Sequence, residues 1–169
     1  RTPPGSEYSF EGDHYTLVGS PALPRPRQTG GPPIIIGGHG PTRTPRLAAR
    51  YAAEFNMPFA PVEVYRDQRA RVAQACEAID RDPDELVWSV ALVACCGHTD
   101  AELERRAAFI GRSVDDLRRH GAAGSPAEIL ETLPTYAEAG VQRVYLQILD
   151  IDDLDHVALM GEEILPLAR

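Results

Sequence analysis

The chain reads as an α/β protein, a parallel sheet assembled from about four strand–helix units. Three observations predict this. Short apolar runs at Ile34–Ile36, Leu86–Cys96 and Val141–Leu149 are rich in Val, Ile and Leu, the composition of strands buried on both faces. Segments with apolar residues at helical spacing lie between them, several opened by capping signals. The connections are short, as in βα units whose right-handed crossovers bring the strands' carboxyl ends to one rim.

Composition narrows the function classes. The 169 residues are enough for one domain with a sizeable core, and the formal net charge is −8. All 17 basic residues are arginine, and they form no clustered patch, so nucleic acid and anionic membrane are excluded as expected partners. No apolar run approaches the ~18 residues that span a bilayer. Three cysteines, with Cys95 and Cys96 adjacent and no CxxC, give neither a disulfide framework nor a zinc site, and a reducing cytoplasm is the expected home.

Residues 1–31 show no helical period. Phe10, Tyr15 and Leu17 around Gly12 predict a short hairpin, after which Pro21, Pro24 and Pro26 hold the chain extended. His14 and Tyr15 read as surface and packing residues. Residues 32–169 form the main unit. Here Ile34–Ile36 predicts a strand, and Thr44-Pro45 predicts a helix start whose stripe is Leu47, Ala48, Tyr51 and Ala52. Glu54–Met57 reads as the second strand.

Pro61 opens the next helix, with Val64 or Tyr65, Val72, Ala75 or Cys76, and Ile79 inward, and with Arg66, Asp67, Arg69 and Glu77 toward water. Asp82-Pro83 breaks it. Leu86–Cys96 is the strongest strand, and alternation sends Cys95 and Cys96 to opposite faces, one toward the sheet interior and one toward the helices. Thr99-x-x-Glu102 is a capping box ahead of Leu103, Ala107 and Ile110, and a short helix follows from Ser113. Ser125-Pro126-Ala127-Glu128 starts a helix that buries Ile129, Leu133, Tyr136 and Ala137 and is expected to kink at Pro134. Gly140 ends it. Val141–Leu149 is the last strand, and Asp152 or Asp153 caps a final helix through Leu165.

The chemistry-bearing motif is Gly37-Gly38-His39-Gly40, between the first strand and its helix. Glycine permits positive φ and close backbone approach, and a helix N-terminus offers unpaired N–H groups with a partial positive charge. Together they make a site suited to a phosphate. The rim reading also places Asn56, His98 and Gln147 on the same rim as the turn, with His98 and Gln147 as candidates for substrate contact. No Ser–His–Asp order, HExxH or paired-carboxylate motif occurs, so no catalytic residue is nominated.

The string PPIIIGGHGPTRTPRLAARYAAEFN at 32–56, with SFEGDHYTL at 9–17 and GSPAEILETLPTYAEAGVQRVYLQ at 124–147, resembles the luciferase-like monooxygenase superfamily, especially its deazaflavin-dependent oxidoreductases. The resemblance implies the C-terminal half of a (β/α)8 TIM barrel, a fold that takes about 250 residues when complete. It implies a bound coenzyme F-420 (a deazaflavin), with FMN as the alternative, and hydride transfer involving a small-molecule substrate. Carried over by position, the cofactor phosphate is held by Gly37, Gly38, His39 and Gly40, aided by Thr42 and Arg43, with Asn56 either lining the pocket or tying down a loop. Pro41 and Pro45 depart from the pattern and remove two backbone donors. The ring-supporting and acid/base residues belong mostly to the other half of such a barrel.

Two expectations follow for the sheet. The strands at Ile34–Ile36 and Val141–Leu149 keep open edges, which invite either the missing N-terminal half-barrel or a second copy of this chain. The competing reading is a half-barrel binding or assembly module without catalysis of its own.

Overall fold

The computed structural model describes residues 6–21 and 23–168. The chain divides into two compact units, Arg1–Pro33 and Ile34–Arg169.

In the first unit, β1 (Tyr8–Glu11) and β2 (Thr16–Ser20) form an antiparallel hairpin. The Gly12 N–H donates to the Tyr15 carbonyl at 3.0 Å and closes its turn. Apart from Ala22, which lies outside the described residues, the proline-rich stretch has no regular structure. His14 and Tyr15 are exposed.

The second unit has β3 (Ile35–Gly37), α1 (Arg43–Tyr51), β4 (Glu54–Pro58), α2 (Val62–Glu77), β5 (Val87–Cys96), α3 (Asp100–Phe109), α4 (Val114–His120), β6 (Ala122–Gly124), α5 (Pro126–Glu138), β7 (Arg143–Gln147) and α6 (Leu154–Leu159). Its sheet is parallel throughout. The order is β3-β4-β5, and the far edge of β5 pairs with β7 along Ser89–Val93 and then with β6 along Ala94–Cys96. This is half of a (β/α)8 barrel, with β3 and β7 each hydrogen-bonded on one side only among the described residues. β6 went unread in the sequence because Ala-Ala-Gly has neither β-branching nor alternation.

The capping signals hold. Thr99 and Ser125 each accept from the N–H three residues on, and Glu102 and Glu128 bond back, which completes both boxes. Ser113 caps α4, and Asp153 rather than Asp152 caps α6. A π-helical turn, Met160–Ile164, extends α6. α5 continues as one helix through Pro134. β7 is shorter than expected: Val141 lies before the strand, where it is buried in the core.

Several helix faces differ from the sequence reading. α1 begins two residues early, with Thr42 rather than Thr44 at its cap position. The first four N–H groups of a helix have no intrahelical acceptor, so Pro45 is tolerated as the third residue. The buried face of α1 is Pro45, Ala48, Ala49 and Ala52, while Leu47 and Tyr51 are exposed. Small residues inward let the helix lie close to the sheet, and the bulky ones turn out. Ile79 and Ala137 are also exposed, past or beside the buried stripes of their helices. Arg69, expected in water, is half-buried with its guanidinium 4.8 Å from the Trp88 ring centroid.

The main core lies between the sheet and α1, α2 and α5. Phe55, Met57, Trp88, Val90 and Leu92 face Ala48, Ala49, Tyr65, Val72, Cys76, Ile129 and Tyr136. Arg81 completes α1 from the loop after α2. Its guanidinium donates to the carbonyls of Ala49 and Ala52 at 2.8 Å each, placing a cation at the negative helix end. Cys96 belongs to this core, and Cys95 packs on the other face against Leu103, Ala107 and Leu117. The two thiols therefore diverge as alternation requires, but helices cover both, because α3 and α4 fold over the upper part of the inner face.

Candidate functional site

The glycine turn leaves β3 at Gly37, which the register pairs with Asn56 of β4. Gly38 has φ +133°, open to glycine and rarely to other residues. At Gly37 an added Cβ would lie 2.8 Å from the Asn56 carbonyl oxygen, and at Gly40 2.8 Å from the Thr44 hydroxyl. At Gly37 and Gly40 the turn is therefore pressed onto β4 and α1 with no room for a side chain. Thr44 packs beneath it instead of capping the helix.

A residue the sequence reading missed holds the turn in place. Gln68 of α2 is fully buried, and its Nε2 donates to the Gly40 carbonyl at 2.9 Å and the Gly38 carbonyl at 3.3 Å. Its Oε1 accepts from Arg71 at 3.1 Å. In a trans peptide the carbonyl and the following N–H point in opposite directions. Drawing the Gly38 carbonyl inward thus turns the His39 N–H outward. The N–H groups of His39 and Gly40 make no hydrogen bond among the described residues. After Gly40 comes Pro41, so that peptide offers no donor. One signal was available in the sequence: a glutamine three residues after Tyr65 and four before Val72, inside the apolar stripe of α2.

The structure gathers Gly37, Gly38, His39 and Gly40 with Thr42 and Arg43 at the start of α1 and Asn56 in register beside them. His39, Thr42 and Arg43 are exposed. Asn56 lies mid-strand, and its Nδ2 donates to Ser89 Oγ at 2.9 Å. Gln147 pairs with Val93, four residues beyond Ser89, or ~13 Å along the sheet. His98 is separated further. It follows β5, seven residues past the Asn56 level at Cys96, and pairs with Glu163 at 3.1 Å. The rim reading that joined His98 to the turn took strand ends to be level; β5 is ten residues long and overruns its neighbours.

The cysteines are not poised for reaction. All three are free and buried. Burial raises the Cys95 thiol above its ordinary pKa and pushes Cys96 up to about 11, so both are thiols at neutral pH. Near Cys96 is a closed polar knot. Arg106 donates to the Cys96 carbonyl at 2.7 Å and pairs with Asp153 at 2.9 Å. The Cys96 N–H donates to His156 Nε2 at 3.0 Å, which requires that nitrogen to be unprotonated. Burial, then the Arg106 charge, lower the His156 pKa, and hydrogen bonding from Arg106 holds Asp153 well below the usual carboxylate range.

The family model for luciferase-like monooxygenases matches residues 2–145. The chain belongs to that family. Comparison with curated proteins gives no match. Among solved structures, this luciferase-like chain is similar to an F420-dependent secondary alcohol dehydrogenase in complex with an F420–acetone adduct, at TM-score 0.79 and 15% identity over 98% of this chain and 57% of that one. The F420-dependent tetrahydromethanopterin reductase from Methanopyrus kandleri gives TM-score 0.77 and 15% identity over 98% and 59%. The oxygenating constituent of 3,6-diketocamphane monooxygenase from Pseudomonas putida, in complex with FMN, gives TM-score 0.63 and 15% identity over 96% and 58%. The chain thus spans somewhat more than half the length of each. These likenesses concern the fold.

No helix among the described residues is long and apolar enough to cross a membrane, and no cluster of His, Cys, Asp or Glu there could hold a metal ion.

Proposed function

We propose that the full-length protein is an oxidoreductase that binds coenzyme F-420, with the cofactor phosphate on the Gly37–Gly40 turn, and exchanges hydride with a small organic substrate. The observation that supports the turn as the phosphate site is its geometry. Side chains are excluded at Gly37 and Gly40, Gln68 holds the carbonyls inward, and the His39 and Gly40 N–H groups remain available at the start of α1. Thr42 would add a hydroxyl and Arg43 a charge. These features fit a phosphate and would repel nothing on it. The bound deazaflavin would supply hydride transfer, and the protein's part here is to anchor and orient it. The choice of deazaflavin draws on the sequence resemblance and on the F420-dependent proteins of like fold.

The half-barrel also needs a partner. Ile35 and Tyr145 are 53% and 38% exposed on the two open-edged strands, an arrangement that the remaining half of the barrel, or a second copy, would cover. An FMN-dependent monooxygenase is the second reading, favoured by the FMN-bound protein of like fold.

Two measurements on the full-length protein test this. Gly38→Val should weaken F-420 binding at least tenfold in a fluorescence titration, because a branched side chain is strained at φ +133° and fills the phosphate approach. Unchanged affinity in the folded variant removes the turn from the site. Isothermal titration with F-420 and with FMN should give the tighter constant for F-420; tighter FMN binding with oxygen-dependent turnover moves the assignment to the monooxygenase.

A further inference from the structure

The open face of the sheet holds a chain of hydrogen bonds whose last member has an acceptor left over. Glu54 is 4% exposed and Ser89 fully buried. Arg143 pairs with Glu54 Oε2, the Ser89 hydroxyl donates to Glu54 Oε1 at 2.6 Å, and Asn56 Nδ2 donates to Ser89 Oγ at 2.9 Å. A carboxylate paired with a guanidinium has no proton to donate. Ser89 therefore donates its O–H to Glu54, with the Phe55 carbonyl a longer second acceptor at 3.2 Å, which leaves it only an acceptor toward Asn56. The two ends of an asparagine amide are alike in shape, and here the direction of the hydrogen bonds decides between them. Nδ2 faces Ser89, and Oδ1 makes no hydrogen bond among the described residues. Asn56 is half-buried on this face, in register with Gly37 where the turn begins.

We propose that Asn56 contacts the cofactor through its amide oxygen, accepting a hydrogen bond from an O–H or N–H group on the uncharged part of the molecule, and that Glu54 and Ser89 are positioning residues that hold the amide in that orientation. This rests on the cofactor reading above and adds a second kind of contact to it. Phosphate oxygens only accept, so Oδ1 is no partner for the phosphate on the turn. A flavin-type cofactor offers suitable donors on its ring imide and on the hydroxyls of its polyol chain.

Glu54→Gln tests the inference by reversing the relay. The new amide keeps its oxygen toward Arg143 and presents N–H to Ser89. The Phe55 carbonyl, 3.2 Å from the Ser89 hydroxyl, already lies in a strand laddered on both sides. The freed Ser89 proton therefore goes to Asn56, whose amide turns over and presents N–H where the ligand brings a donor. F-420 binding to the full-length variant should weaken about tenfold, as expected for one mismatched hydrogen bond in a desolvated site. Adding Asn56→Asp in that background restores an outward acceptor and should return affinity to within about threefold. In the ligand-free protein, NOEs between the Asn56 amide protons and the Ser89 β protons should be present in the wild type and lost in Glu54→Gln. If they persist, the orientation argument is overturned. If Glu54→Gln fails to fold, Ser89→Ala serves instead, with an expected loss of about threefold. Repeating the comparison with F-420 methylated on its imide nitrogen separates the two donor sources. Loss of the Glu54→Gln penalty assigns the ring imide, and its persistence assigns a polyol hydroxyl. Unchanged F-420 affinity in the folded variants, with Gly38→Val still impaired, overturns this inference and leaves the phosphate cradle standing. If Gly38→Val is unimpaired as well, the cradle reading has failed instead.

Discussion

β5 carries two polar networks, and they differ in how they end. At its carboxyl end Arg106, Asp153 and His156 bond to one another and to both backbone groups of Cys96, with Arg106 and His156 buried and the Asp153 side chain 7% exposed. Lower on the same strand Ser89 joins Glu54, Arg143 and Asn56, on a face that the chain's own helices leave uncovered. The first network, apart from the exposed Arg105 that also pairs with Asp153, closes on itself and ties α3 and α6 to the sheet. The second stops at an asparagine oxygen. A closed buried network reads as structure, because each of its polar groups would be costly to leave unpaired. An open one beside a glycine turn reads as a site.

The largest effect should come from breaking the closed network. Arg106→Ala leaves Asp153 with only the exposed Arg105 as a cation and the Cys96 carbonyl without its donor, a loss of about 3 kcal/mol. A urea unfolding midpoint measured beside the wild type would show it. A stability within about 1 kcal/mol of wild type would mean that water enters the knot and that the contrast with the open network is false.

Acid should then act on the same knot through His156. Its folded pKa is lowered below the ordinary 6.5. The unfolded chain therefore takes up a proton where the native protein does not. The stability that His156 contributes is complete above pH 6.5 and is lost as pH falls through the folded value, with a slope of at most ~1.4 kcal/mol per pH unit. His156→Gln keeps an acceptor for the Cys96 N–H and should flatten the unfolding free energy between pH 7 and 5. A profile unchanged by the substitution would assign the acid sensitivity elsewhere.

The open network should tolerate damage better. Ser89→Ala removes the hydrogen bonds of Ser89 with Glu54, Asn56 and the Phe55 carbonyl, but Glu54 keeps Arg143 and Asn56 keeps access to water, so the cost should be about 1 kcal/mol. Thermal unfolding of the variant measures it. A loss as large as that of Arg106→Ala would make this network structural as well.

Beside the glycine turn, Gln68→Leu bears on a third buried polar group. It leaves the Gly38 and Gly40 carbonyls without their donor, and should loosen the turn and weaken F-420 binding while the α2 stripe stays packed. Hydrogen exchange at His39 and Gly40, read with the cofactor titration, would check it. Unchanged exchange would show that the glycines hold the turn unaided.

The sequence by itself determined the parallel α/β architecture, the capping boxes at Thr99 and Ser125, the strand at Leu86–Cys96 and the glycine turn. All are local: a periodicity, a capping pair, or a backbone conformation that only glycine adopts easily. It also contained Gln68 and Ser89, but as polar residues in apolar stretches whose partners lie 28 to 35 positions away. Only the tertiary structure decided that α1 buries its alanines and exposes Leu47 and Tyr51, since that depends on how closely the helix lies on the sheet. It decided likewise that β5 overruns β4 and carries His98 away from the turn, because strand length reveals its consequence only once the register is fixed. The direction of the Asn56 amide is of the same kind: it follows from a hydrogen bond that Ser89 donates to Glu54 across two strands, and no spacing in the chain encodes it.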